Sequence, residues 1–390
     1  MYDNLNEDDI ITEADSDNFN DYGVRLKVIG VGGAGNNALN HLYNDKFKEN
    51  IEYWAFNTDK QALFKNKCTN KLALGNDQRG FGTGGDPKKG EQAANESTDK
   101  IREILANTDM LILTAGFGGG TGTGATPVIC KIAKELGILT LAIVNTPYNY
   151  EGKEKERIAY AGIEELKKYV DSYVLVSNQK MCEIYADINF IDANKASNVI
   201  LKNAIDIIYE ILYKPIDINI DFNDLKNVLT NGKEAIITYH KSSGKDKILK
   251  ATTGALTNQL FDNDIKSCSK MLVCFSFDSK VTMAAINEAT NEINKAFGAK
   301  SDLIQKKIGV SVNASDDRAD FFATSIIATG INDESQIHSG LIGSYFNEDS
   351  KSDSNIASGG TDEFNSSNTI LGNNMNTEKY IGDQTPDFWT

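Results

Sequence analysis

Five short runs between residues 26 and 176 are apolar at nearly every position: Leu26–Val31, Ile51–Phe56, Met110–Thr114, Ile138–Val144 and Tyr173–Val176. Runs rich in Ile, Val and Leu without polar alternation predict parallel strands buried on both faces. The segments between them carry readable helix ends. In "DPKK", Asp86 is placed to cap and Pro87 takes the first helical position, while Ala125–Leu136 keeps helical spacing and stops at Gly137. Strands alternating with helices predict a doubly wound, mostly parallel α/β domain.

The pattern then changes period. From Ile191 to Leu212 the apolar positions Val199, Ile200, Ala204, Ile207, Ile208, Ile211 and Leu212 line one face of a long helix, which Pro215 ends. Beyond it, Ala235–His240, Ile248–Phe261, Met271–Phe277, Met283–Phe297, Lys307–Val312 and Phe321–Ile327 read β-α-β-α-β-β, a smaller α+β domain. The expected organisation is an acidic arm over 1–23, a first domain over 24–190 and a central helix over 191–213. The α+β domain follows over 214–331, then a Ser/Asn/Asp/Gly-rich linker over 332–380 and a terminal peptide over 381–390.

Charge narrows the partners. Forty basic against fifty-five acidic residues leave a net charge of -15. That excludes a nucleic-acid backbone as the main partner, because such binding depends on Lys and Arg neutralising phosphates. No apolar run approaches the roughly 18 residues that span a bilayer, so direct membrane insertion is not expected. The acidic start lacks the basic and apolar regions of a signal peptide, which predicts a cytoplasmic protein. Five cysteines without a CxxC, and scattered His41, His240 and His338, predict neither a disulfide framework nor a protein metal site.

The candidate chemistry lies in glycine. The first strand runs into "GVGGAG", Gly30-x-Gly32-x-x-Gly35, a dinucleotide fingerprint by spacing. "GGGTGTG", Gly118–Gly124, likewise leaves a strand and opens a helix. Backbone N–H groups and a helix dipole there converge on an anion, and threonine hydroxyls add donors. "NTD" (Asn57–Asp59) and "FGTGGDP" (Phe81–Pro87) follow other strands to the same edge, while GxxxxGK[ST] is absent. The pattern predicts a di- or triphosphate held mostly by backbone. A Rossmann oxidoreductase is the first alternative: Asp59 stands near the place of its ribose-binding acid, but the second glycine loop has no role in it.

"VIGVGGAGNNALN", "FNTDKQAL", "GTGGDPKKG", "TAGFGGGTGTGATPVI", "NYEG" and "NIDFND" resemble, in order and spacing, the FtsZ family of bacterial division GTPases within the tubulin superfamily. The resemblance covers roughly residues 24–331 and makes 24–190 the GTP-binding domain. It implies GTP/GDP with Mg²⁺ as ligand, head-to-tail self-assembly, and hydrolysis completed by a loop of the neighbouring subunit. It also implies work at the division site beneath the membrane. In this sequence the completing loop is Asn219, Asp221 and Asp224. The phosphate-side residues carried over are Gly32, Gly33, Asn36, Asn37, Asn57, Asp59, Gly84, Gly85, Gly118, Gly119, Gly120, Thr121, Gly122 and Thr123. Glu151 falls at the ribose, and either Lys155 or, with a two-residue insertion, Arg157 stands near sugar and phosphates.

The base side departs from the family. Asn194 replaces a stacking phenylalanine, Asn198 replaces an aspartate that accepts from guanine, and in "SNQK" Gln179 follows Asn178 where an Asp is usual. Asparagine accepts only one of guanine's two donors and suits adenine no worse, so weak base selectivity is expected. A non-hydrolysing structural paralogue is therefore the second alternative, with the retained Asp221 and Asp224 against it. The tail ends in "TPDFWT", where Phe388 and Trp389 resemble the family's docking peptide for membrane-attached adaptors, without its usual basic residues.

Overall fold

The computed structural model describes residues 23–331 apart from 45–47, 185–189, 215–216, 219, 258–260 and 314–319. The expected linker, the terminal peptide, nearly all of the acidic arm, and Asn219 lie outside the described residues.

The first half alternates strand and helix. It contains β1 (Leu26–Val31), α1 (Gly32–Asn44), β2 (Ile51–Asn57), α2 (Lys60–Lys65), β3 (Asn70–Ala73), α3 (Pro87–Glu96) and α4 (Thr98–Leu105). Then come β4 (Met110–Gly116), α5 (Thr121–Glu135), β5 (Leu139–Thr146), α6 (Lys153–Leu166), β6 (Ser172–Ser177) and α7 (Asn178–Ile184). The long α8 (Phe190–Tyr213) leads through α9 (Phe222–Leu229) into β7 (Lys233–Ser242), α10 (Lys247–Leu256), β8 (Lys270–Asp278), α11 (Met283–Phe297), β9 (Gln305–Asn313) and β10 (Phe322–Thr329). The α/β class, the cap at Asp86, the long helix and the β-α-β-α-β-β order all agree with the sequence pattern.

The strands form one sheet in the order β3-β2-β1-β4-β5-β6-β7-β10-β8-β9. β3 to β6 run parallel, whereas β10 lies antiparallel between β7 and β8. β6 and β7 join through only Ser172↔Lys233 and Tyr173↔Glu234. The central strands are covered on both faces, as their unbroken apolarity requires. Along β4, Met110 and Ile112 belong to the buried cluster that includes Ile200, Leu201 and Ala204 of α8, while Leu111 and Leu113 belong to the one that includes Ile129 and Ala133 of α5. Asp86 accepts from the Lys88 N–H at 2.9 Å, the cap that starts α3.

Two of the expected helices have clearly different bounds. α5 begins at Thr121, four residues earlier than expected, so Gly122, Thr123 and Gly124 are helical and not part of a loop. α10 ends at Leu256 and not at Phe261.

Candidate functional site

The strand order reverses between β1 and β4, and in sheets of this kind ligands bind at the carboxyl ends beside the reversal. Both glycine loops leave the sheet there. Gly32 turns out of β1 with φ +72°, a left-handed conformation that favours glycine, and a methyl on it would stand 2.9 Å from the Gly122 nitrogen. The amino ends of α1 and α5 therefore lie side by side, pooling unpaired N–H groups and dipoles. Gly35 serves packing instead. A methyl there would meet the Thr114 carbonyl at 2.3 Å, so its absence lets α1 lie on the sheet.

The other glycines sort by what surrounds them. A methyl on Gly120 would meet Thr83 Oγ1 at 2.0 Å, because the loop before α3 folds over it. Thr58 Oγ1 and Thr121 Oγ1 are hydrogen-bonded at 2.6 Å, and the Gly118 N–H donates to Thr123 Oγ1 at 2.9 Å. These contacts shape the loop from inside. Around Gly33, Gly84, Gly85 and Gly119, in contrast, a methyl would meet no atom within 4 Å. Their backbones face open space. Asn36, one turn into α1, is 3% exposed, and both polar atoms of its amide lack a partner. A buried amide left so costs about 1–3 kcal/mol, which a polar ligand would relieve. Open glycines, paired helix amino ends and an unsatisfied amide fit a polyphosphate. Asn37, on the same turn, is exposed.

Asn57 is buried, and its Oδ1 accepts from the Asp59 N–H at 3.1 Å. The Asp59 carboxylate accepts from the Ala62 N–H at 2.9 Å and caps α2. On the far side of the cradle, Glu151 accepts from the Tyr148 N–H at 3.0 Å and from Lys155 Nζ at 2.8 Å. The Lys155 carbonyl backs the glycine loop, where a methyl on Gly118 would approach it to 2.9 Å. Arg157 turns away to chelate Glu154 through Nε and Nη2 at 3.0 and 2.7 Å. Asn178 Oδ1 accepts from Asn145 Nδ2 at 3.4 Å, and Gln179 Oε1 accepts from the Asn149 N–H at 3.2 Å. Burial lifts the Tyr148 phenol to about 12, so it stays protonated beside Glu151. Asn198 lies half-buried on α8. Asn194 is on the same helix, but its side chain lies outside the described residues.

Asp221 and Asp224 are not brought to this cradle. They form a capping box at the start of α9: Asp221 Oδ1 accepts from the Asp224 N–H at 2.9 Å, and Asp224 Oδ2 accepts from the Asp221 N–H at 3.2 Å. Phe222 and Lys226 share a cleft with Arg25, Asp109 and Ile138, which immediately precede β1, β4 and β5. The acidic loop thus stands at the amino ends of the parallel strands and the glycine cradle at their carboxyl ends. The strands alone separate them by about 20 Å.

Thr58, Thr83 and Asn145 support the cradle and were not among the expected site residues. Thr58 and Thr83 sit inside "NTD" and "FGTGGDP", so the motifs already contained them. Asn145 ends a buried strand as a polar residue, which was a usable signal.

Residues 25–186 match the family described as "Tubulin/FtsZ family, GTPase domain". The chain is 37% identical to the cell division protein FtsZ of Mycoplasmopsis pulmonis, over 80% of this chain and 79% of the relative. To that of Aquifex aeolicus it is again 37% identical, over 80% and 84%. Among solved structures, an FtsZ dimer from M. jannaschii superposes with a TM-score of 0.71 at 31% identity, covering 83% of this chain and 93% of that one. CetZ2 from Haloferax volcanii, solved as a GTPγS-bound protofilament, shares the fold at a TM-score of 0.70 and 18% identity, over 84% and 99%.

Proposed function

Since this chain belongs to the FtsZ family of tubulin-like cell-division GTPases, we propose that it binds GTP in the glycine cradle and assembles head-to-tail with copies of itself. Hydrolysis then occurs only where two subunits meet. One observation carries this reading: the open glycines and the acidic loop occupy opposite edges of the same sheet. A subunit cannot bring Asp221 and Asp224 to its own phosphates, but its neighbour can.

The chemistry needs little more. Phosphoryl transfer to water requires the nucleophile to be oriented and the developing charge to be stabilised, with no covalent help from the chain. Gly32, Gly33, Gly84, Gly85 and Gly119–Thr123 hold the phosphates through backbone N–H groups, while Gly118, bound to Thr123, keeps the loop in shape. Glu151 takes the ribose, and Lys155, whose main chain backs Gly118, stands nearer than Arg157. From the next subunit, Asp221 and Asp224, with Asn219, orient the water that attacks the γ-phosphorus as the bond to GDP breaks. Mg²⁺ is usually held largely by the substrate's phosphates, and here it would accompany the triphosphate.

Base recognition is looser than the phosphate grip, because Asn198 offers guanine one acceptor where a carboxylate offers two. The terminal peptide anchors filaments to membrane-attached adaptors, which places the protein at the cytoplasmic side of the division site. Among the described residues no helix is long and apolar enough to cross a membrane.

Asp221→Asn and Asp224→Asn test the shared site. Asparagine caps a helix as well as aspartate does, so Asp221→Asn leaves α9 intact. Both variants should bind GTP and assemble like the wild type while phosphate release falls about 100-fold, the contribution of a positioned proton acceptor. Normal turnover in both would refute hydrolysis at the subunit contact.

A further inference from the structure

The acidic loop is laid antiparallel along β9. The Val312 N–H donates to Asp217 Oδ2 at 2.8 Å, and Ile218 and Val310 exchange backbone hydrogen bonds at 3.1 and 3.2 Å. Ile220, fully buried, covers Gly309, where a methyl would come within 2.4 Å of its Cδ1. Lys307 is two residues along the same strand face and therefore reaches the end of the loop, with Nζ 3.0 Å from Asp224 Oδ2.

We propose that Lys307 is a positioning residue that supplies the counter-charge allowing the acidic loop to approach a neighbouring subunit's triphosphate. The inference rests on the shared-site reading above. Two carboxylates in one helical turn carry like charge toward a polyanion, and the repulsion acts over the roughly 10 Å of a Debye length. Two nearby lysines are turned elsewhere. Lys306 is bound to Asn294 Oδ1 at 2.7 Å and Ser301 Oγ at 2.5 Å, and Lys270 Nζ to the Asn227 and Thr230 carbonyls at 2.7 and 3.4 Å. Lys307 is 46% exposed at its side chain and Asp224 23%. Its ammonium thus faces both the carboxylate and the solvent side from which a neighbour arrives. Holding Oδ2 of Asp224 also orients Oδ1 to accept from the attacking water. A lysine on an edge strand such as β9 has an ordinary use, blocking edge-to-edge pairing, and the test must separate that use from this one.

The test measures assembly of the full chain by sedimentation with a slowly hydrolysed GTP analogue, so that turnover does not enter. Lys307→Gln should raise the critical concentration about five-fold at low salt, the upper worth of an exposed charge pair. The difference should vanish near 0.5 M salt, roughly where screening reaches a few Å. Lys307→Arg should restore assembly, and Asp224→Asn combined with Lys307→Gln should recover most of the loss, because the charge to be neutralised is gone. Wild-type assembly by Lys307→Gln at low salt, or a defect indifferent to salt, would overturn the proposal. If Asp224→Asn abolishes turnover while Lys307→Gln assembles normally, only the role of Lys307 falls. If Asp221→Asn and Asp224→Asn both hydrolyse normally, the shared-site reading falls first.

Discussion

A methyl group added at Gly119 separates space kept for a ligand from space used for packing. The Gly119 backbone is outside the left-handed region, and an alanine Cβ would meet no atom within 4 Å. Gly119→Ala should therefore stabilise the free protein slightly, by about 0.4–1 kcal/mol through the lost freedom of the unfolded chain. In a unit of this size that is a rise of roughly 1–3 °C in Tm. At Gly124, inside α5, the same methyl would stand 2.0 Å from the Pro87 carbonyl and 2.6 Å from the Glu91 nitrogen. α3 and α5 would have to part, at a cost of about 1–3 kcal/mol or more. Ligand binding reverses the ranking. The Gly119 methyl blocks one charge-assisted contact from backbone to phosphate, worth about 1.5–3 kcal/mol, so affinity should fall about ten- to hundred-fold. Calorimetric titration of unassembled protein with GDP, beside thermal unfolding without nucleotide, reads both quantities. Gly33→Ala, equally open, should behave like Gly119→Ala. Wild-type GDP affinity in both variants would remove the phosphates from this cradle, and a lowered Tm would show the space to be packing space.

Asn198→Asp should raise the preference for GTP over ATP about ten-fold in competition binding, since a carboxylate restores the second acceptor for guanine; an unchanged ratio would take Asn198 off the base. Burial holds the His240 pKa below its usual 6.5, and a methyl on Gly254 would meet its ring at 2.5 Å. Below about pH 6.5 the unfolded chain binds a proton that the folded chain refuses, so stability is full above that pH and declines as pH falls. His240→Gln should flatten this slope in thermal melts between about pH 7.5 and 5.5, and an equal slope would acquit His240. Deleting 381–390 should leave GTP-driven assembly in solution intact and abolish pelleting with adaptor-coated vesicles; a truncated chain that cannot assemble would refute a pure docking role.

Most strands were legible because burial on both faces demands unbroken apolar runs. β3 was not: Asn70–Ala73 holds one buried residue, Leu72, and pairs only with β2 at the sheet edge. The early start of α5 was hidden by composition, since Gly and Thr are poor helix formers. Tertiary packing overrides that preference. The Gly124 N–H donates to the Gly120 carbonyl at 2.9 Å, and a methyl on Gly90 would meet that carbonyl at 2.5 Å. The residues that make the helix weak in isolation are the ones that let α3 come close. They looked like loop for the same reason that they fit. α9 escaped because Leu225, Val228 and Leu229 make too short an apolar face to show a period.

The candidate site was legible in halves. Gly-rich turns after buried strands announce an anion cradle locally, because every atom involved comes from a few consecutive residues. The acidic loop carries no such announcement. Asp221 and Asp224 satisfy each other's backbone at the start of α9, and a capping box alone explains both residues. What lifts them above that explanation is position: an exposed Asp221 and a half-buried Asp224, the latter paired with Lys307 of β9, at the strand ends opposite the open glycines. Within one chain the two halves are useless to each other. In the proposed assembly they meet between copies, and a contact joining unlike faces does not close on itself as a twofold would. It repeats, so the division of the site proposed here, with one part at each end of the subunit, predicts a filament.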